Sequence, residues 1–265
     1  MSRAVHALLI ALLICSAQPG AAADGYTLVV QPLIPPAAQR QAYGPLVRYL
    51  SERSGYPIRL VTARNFVTYW ERMRRPGAYD LILDAAHFTA FRIARMGYRP
   101  LAKLPDVVSF SLITDEDTLI FSPDELVGKR VATLASPSLG ALRLTTLFPN
   151  PVKQPLIVAT DDSRAAVDSL LAGEVVAAVI PTPIARDYDT INTVLTTEQV
   201  PHMALSASPE VPAEVQSALR EALLAADRQP TGRRALARAR LAGFEPASTS
   251  IYRGYDRLLS GVWGY

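Results

Sequence analysis

Between residues 26 and 96 three short apolar runs alternate with three helical ones, and this alternation restricts the folds open to the chain more than any other feature. Residues 26–33 are rich in β-formers and close on Pro32 and Pro35-Pro36. Residues 37–53 carry helix formers with Leu46, Val47 and Leu50 at helical spacing, and Gly55 stands just past the end, where a left-handed residue stops a helix. Residues 58–63 read as a strand and 66–74 as a helix with Phe66, Tyr69 and Trp70. Residues 81–85 read as a strand, with a helix from about 87 to 96. The strands show no polar alternation, so neither face is solvated; a parallel sheet covered by helices satisfies that pattern.

Residues 101–104 and 108–114 read as paired or crossing strands, and Asp115-Glu116-Asp117 as a polar break. A second α/β series follows: a short helix and glycine turn at 124–130, then strands at 131–134, 155–160 and 175–180, with helices at 138–147 and 163–171. The chain is extended again over 193–200 and 202–208. Helices are expected at 212–226 and 231–242, with 251–259 closing the structure. Two α/β units joined by two extended crossings make a two-lobed protein with a hinge. Each lobe is expected to be a mainly parallel sheet flanked by helices, with ligand between the lobes beyond the carboxyl ends of the strands. The expected division is residues 24–115 plus 201–265 for lobe 1 and 116–200 for lobe 2.

The first residues read as an export signal. Arg3 is the only charge before an apolar run over 4–15, and Pro19-Gly20 leads to Ala21-Ala22-Ala23. Residues 1–23 are expected to be cleaved, leaving a soluble exported protein. The run is shorter than the roughly 20 residues a membrane span needs. Cys15, the sole cysteine, follows Ile14 rather than the small residue a lipid-anchoring signal would place there, so no anchor is expected and the mature chain has no thiol. The formal net charge is 27 − 24 = +3, a surplus too thin for a nucleic-acid stripe. Arg233, Arg234, Arg238 and Arg240 read as a solvated helix face.

Chemistry concentrates at the strand ends. After the strand at 131–134, Ser136-Pro137-Ser138-Leu139-Gly140 opens a helix with Ser136 or Ser138 as cap, offering unpaired N–H groups and the positive end of a helix dipole to an anion. Asp84-Ala85-Ala86-His87-Phe88 holds the matching place in the first series, where small residues let a ligand approach and His87 can hydrogen-bond. Phe66 and Thr182 stand at two further strand ends. The ligand-binding set is therefore Phe66, Asp84, His87, Ser136, Ser138, Gly140 and Thr182. The alternative for each is ordinary capping or core packing. No metal is expected, since His87 and His202 are the only histidines after residue 23 and do not chelate. No cofactor is expected either, since phosphate-loop and dinucleotide fingerprints are absent. Ser138, His87 and Asp84 could form a triad on paper, but nothing resembles a nucleophile elbow, and no catalysis is expected.

Four stretches, in order, resemble the PhnD-like phosphate/phosphite/phosphonate-binding proteins of ABC importers. They are residues 43–50 (YGPLVRYL), 79–88 (YDLILDAAHF), 124–131 (DELVGKRV, before the serine/glycine turn) and 171–179 (LAGEVVAAV). The residue pair His87-Phe88 and the element Asn150-Pro151-Val152-Lys153-Gln154-Pro155 are similar to a subgroup of that family. The resemblance implies a type 2 periplasmic binding fold, a small anionic, phosphonate-like solute as ligand, and an inner-membrane ABC permease as partner, or else a membrane sensor. It implies a monomer that is not an enzyme. The chain departs from the pattern: Leu139 stands just before Gly140, Phe66 and Phe88 lack the hydroxyls of pocket tyrosines, Val176 replaces an acid, and Asp162 or Ser163 a histidine. Each lost donor or acceptor costs a buried polar ligand roughly 1–3 kcal/mol, so fold and role carry over better than ligand.

Overall fold

The computed structural model describes residues 25–265; the expected signal segment and Cys15 lie outside the described residues. The first series is β1 (Tyr26–Val30), α1 (Pro36–Ser54), β2 (Ile58–Val61), α2 (Phe66–Met73), β3 (Leu81–Asp84), α3 (Ala86–Met96) and β4 (Arg99–Lys103). Then come β5 (Val107–Val108) and β6 (Phe110–Asp115). The second series is β7 (Arg130–Leu134), α4 (Leu139–Leu147), β8 (Leu156–Thr160), α5 (Ser163–Leu171), β9 (Ala177–Pro181) and the short α6 (Thr182–Ala185). The chain returns through β10 (Ile191–Thr196), β11 (Val200–Pro201) and β12 (Ala204–Ala207). It continues in α7 (Ala213–Leu224), α8 (Pro230–Ala239) and β13 (Glu245–Pro246), and ends in 3-10 turns.

Two large sheets result, in strand orders β13-β4-β12-β3-β1-β2 and β10-β6-β9-β7-β8. The expectation of mainly parallel sheets needs correction. Only β2-β1-β3 and β8-β7-β9 are parallel; β12, β4, β13, β6 and β10 pair antiparallel. The cause is topological: β6 and β12 arrive through the crossings with no helix before them and run against their neighbours, and β4 and β10 pair antiparallel because they lie beside these two strands. β6 pairs with β9 and β10, so the second sheet begins at Phe110 and not beyond the polar break at 115–117. The two crossings meet in a two-residue ladder, Val108 opposite Val200 and Val107 opposite Pro201. This ladder ties the two crossings together between the sheets.

Local signals set the helix ends that matter. Asn65 accepts from Thr68 N–H at 2.9 Å while the Thr68 hydroxyl accepts from Asn65 N–H, which fixes the start of α2. Gly55 stops α1 at φ 79° and sends its N–H to Ser51 O at 3.0 Å. On one face of the first sheet, Leu28, Leu46, Leu50, Leu219 and Leu236 join α1, α7 and α8 in one core. On the other face, Val29, Tyr69, Trp70, Ile82 and Phe88 pack under α2 and α3. That second core takes in Leu134 and Leu142 of the second series, and Ala85, Ala86 and Ala90 of α3 join Leu139, Leu144 and Val179. Apolar contact thus runs from one lobe into the other around the starts of α3 and α4.

Candidate functional site

The helices α3 and α4 each begin where a central parallel strand ends, and their N-termini meet. His87, fully buried in the first turn of α3, donates from Nε2 to Pro137 O, 3.0 Å away, in the turn before α4. With the proton on Nε2 of a neutral ring, Nδ1 is a lone-pair acceptor, and it is buried without a partner among the described residues. Burial pushes the His87 pKa down to about 4, against the opposing pull of the Pro137 carbonyl and Asp84, so the ring is neutral at pH 7.

Around this contact the backbone is short of acceptors. Ala85 caps α3 with no side-chain bond, and its own N–H goes to Gln31 Oε1 at 3.1 Å. The N–H groups of Ala86, His87 and Phe88 meet no acceptor among the described residues, nor do those of Leu139 and Gly140 at the start of α4. These residues are buried. A buried N–H without an acceptor costs about 1–3 kcal/mol, and native proteins leave few. The seam is therefore rich in donors, with a single imidazole acceptor beside them.

The sequence-predicted residues distribute unevenly. His87, Ser138 and Gly140 lie at this meeting point. Ser138 is a cap: its Oγ accepts from Ala141 N–H at 3.2 Å and donates to Leu134 O at 2.9 Å. Gly140 allows close approach of helix to strand, since a Cβ there would sit 2.7 Å from Thr133 Oγ1. Ser136 is exposed at the mouth of a neighbouring cavity. Phe66 belongs to the core, stacked on Phe88 with ring centroids 6.3 Å apart. Thr182 lies beside the first crossing, where its Oγ1 accepts from Ser109 and Ser111 hydroxyls at 2.9 and 3.0 Å.

Asp84 is committed elsewhere. Its carboxylate is fully buried and takes a bidentate pair from Arg92, at 2.5 and 2.7 Å, with further bonds from Thr89 Oγ1 at 3.0 Å and the Tyr69 hydroxyl. Arg92 also donates to Ser206 Oγ at 2.9 Å. Burial lowers the Arg92 pKa, but Asp84 and neighbouring tyrosines together outweigh it, and the net direction is up. No oxygen of Asp84 is left for a solute. Nor is there a triad, because Ser138 bonds Leu134 rather than His87 and Asp84 bonds Arg92. Among the described residues no three of His, Cys, Asp and Glu come together as a metal set, and no helix is long and apolar enough to cross a membrane.

Sequence reasoning missed Arg92 and Tyr69. The signal was there: Arg92 stands four residues after Phe88, on the apolar stripe of α3, where a charge needs a buried partner.

A family described as "ABC transporter, phosphonate, periplasmic substrate-binding protein" matches residues 28–252. PhnD1 from Prochlorococcus marinus, solved with methylphosphonate, superposes with TM-score 0.76 at 10% identity, covering 89% of this chain and 97% of that one. XAC2383 from Xanthomonas citri, bound to ATP, gives TM-score 0.71 at 17% identity, covering 89% and 96%. The binding component of an ABC phosphonate transporter from Pseudomonas aeruginosa (PA3383) gives 0.69 at 13%, covering 89% and 83%. At these identities the likeness establishes the type 2 periplasmic binding fold. A sequence comparison with curated proteins finds no match.

Proposed function

From the premise that the chain belongs to the periplasmic substrate-binding proteins of phosphonate ABC transporters, we propose that it captures a small phosphorus oxyanion in the seam between α3 and α4 and delivers it to an inner-membrane permease. The observation that carries this reading is the convergence of two helix N-termini from different lobes, with five backbone N–H groups and His87 Nδ1 unpaired among the described residues. The solute enters when the crossings at β5 and β11 let the lobes part, and closure desolvates it against those amides. Helix N-termini favour negative charge without any cationic side chain.

His87 narrows the choice further. An acceptor among donors suits an oxyanion that keeps one proton, its charged oxygens facing the amides and its O–H facing Nδ1. Monoprotonated phosphonate, phosphite and phosphate share that form. The ligands of two of the solved relatives, methylphosphonate and ATP, contain tetrahedral phosphorus oxyanions, which supports the class. Use of the same capture to signal to a membrane sensor has no observation in its favour here.

A thermal-shift titration with methylphosphonate, phosphite and phosphate tests the proposal. At least one should raise Tm with the logarithmic concentration dependence of mass action, and His87→Phe should abolish most of the rise. If none of the three stabilises the unmodified protein, the reading is wrong.

A further inference from the structure

Beside the seam, α2, α4 and the C-terminal turns enclose a cavity of about 810 Å³ that the oxyanion does not need. We propose that this cavity is a second binding site, for an organic anion carrying a flat apolar body. Its walls come from both lobes: Val67, Trp70 and Glu71 from α2, Ser136-Pro137, Leu142, Arg143 and Thr145-Thr146 from the second series. The segment 254–263 supplies the remaining wall.

Arg143 supplies the anion partner. Its residue is only 8% exposed, Nε is buried with no hydrogen-bond partner among the described residues, Nη2 donates to Glu198 O at 3.1 Å, and Nη1 stands 4.0 Å from the Glu198 carboxylate. That carboxylate is 91% exposed, so water screens it and little of its charge reaches the buried guanidinium. A buried cation so weakly compensated is costly, and an oxyanion seated in the cavity against the Arg143 guanidinium relieves it. Arg257 and Glu71 are the other charged groups lining the cavity, both exposed. Formal charge therefore cancels overall, yet the two acids are both solvated while one cation is desolvated. An anionic head is drawn inward to Arg143.

The apolar body has its own wall. Trp70 is held by its Nε1–H to Trp263 O at 2.7 Å, while Trp263 is 75% exposed, an unusual position for an indole. Pro137, Leu142 and Val262 continue the surface. Rings stack on such surfaces, and a volume of this size accepts a molecule larger than the seam's oxyanion. The site stands independently of the oxyanion reading, although occupancy would bridge α2 and α4 and so favour closed lobes.

The two tryptophans of the chain both line this cavity, so their emission reports on it. Phenylphosphonate is the probe: it should change tryptophan emission saturably in the full chain. Methylphosphonate, which lacks the ring, and benzyl alcohol, which lacks the charge, should each act at least about tenfold more weakly. Arg143→Gln should weaken phenylphosphonate by about tenfold or more, the loss of a charge-assisted bond, while keeping the methylphosphonate shift in Tm. Trp263→Leu alters an exposed position and should weaken the probe without threatening the fold. His87→Phe should leave probe affinity unchanged. The proposal is overturned if emission shows no saturable change, if Arg143→Gln and Trp263→Leu bind as before, or if His87→Phe loses the probe, which would put it in the seam.

Discussion

The turn from β3 into α3 and the turn from β7 into α4 occupy equivalent places in their lobes and are built on opposite plans. In the first, the strand ends on a charge: Asp84 is locked to Arg92, Thr89 and Tyr69 inside the lobe, and the helix above it starts on Ala85 with no cap. In the second, the strand ends on Leu134, no ion pair is buried beneath the helix start, and Ser138 caps the helix. One turn invests its polarity below the seam, the other at it. The shared outcome is a pair of helix starts with first-turn amides unpaired. The difference assigns rigidity to lobe 1 and helix capping to lobe 2, while the solute meets backbone from both.

The strongest way to break this contrast is to remove the charge from the first turn. Asp84→Asn leaves Arg92 buried without its anion, a loss of about 3–5 kcal/mol in unfolding free energy by urea titration. The double variant Asp84→Leu/Arg92→Met should recover much of that, because the desolvation cost of both charges goes with them. If Asp84→Asn costs under about 1 kcal/mol, the network is not what fixes the turn.

Proton linkage at His87 sharpens the contrast, since this side chain joins the two turns. The folded value of about 4 lies below the unfolded value of 6.5, so between those pH values the unfolded chain binds a proton that the folded chain refuses. Stability from this group is full above pH 6.5 and is lost as pH falls through 4. The loss is about 3 kcal/mol for a shift of this size. His202, also lowered to about 4 by burial and by Lys103, adds a parallel slope from the second crossing. In His87→Gln the decline in urea midpoint between pH 6.5 and 4 should shrink to the His202 share. An unchanged slope would mean that His87 ionises in place and the seam admits water.

The alternation of residues 26–96 made the first lobe legible, because apolar runs without polar alternation leave a helix-covered sheet as the arrangement that hides both faces. That the segments at His87 and Ser138 both open helices after strand ends was also readable. What stayed hidden was where polarity was already spent. A sequence shows Asp84 beside His87 and invites a site; only packing brings Arg92 and Ser206 under it. Strand direction after the crossings was hidden for a similar reason, as 204–207 is equally apolar in either orientation. Trp263 and Arg143 are far apart in sequence and carry no pattern that predicts a common cavity.

The smallest effect is the most diagnostic of the second turn. Ser138→Ala removes the acceptor for Ala141 N–H and should cost about 1 kcal/mol, the ordinary value of a helix cap. It should leave the rise in Tm with oxyanion intact, because the serine hydroxyl is already committed on both sides, donating to Leu134 O and accepting from Ala141. Thermal shifts measured on this variant with and without methylphosphonate separate the two roles. A fall in baseline Tm with an unchanged ligand increment leaves the solute to the amides of Leu139 and Gly140. An increment lost along with the baseline would show that the hydroxyl leaves its cap to bind, and then lobe 2 reads its solute by a side chain after all.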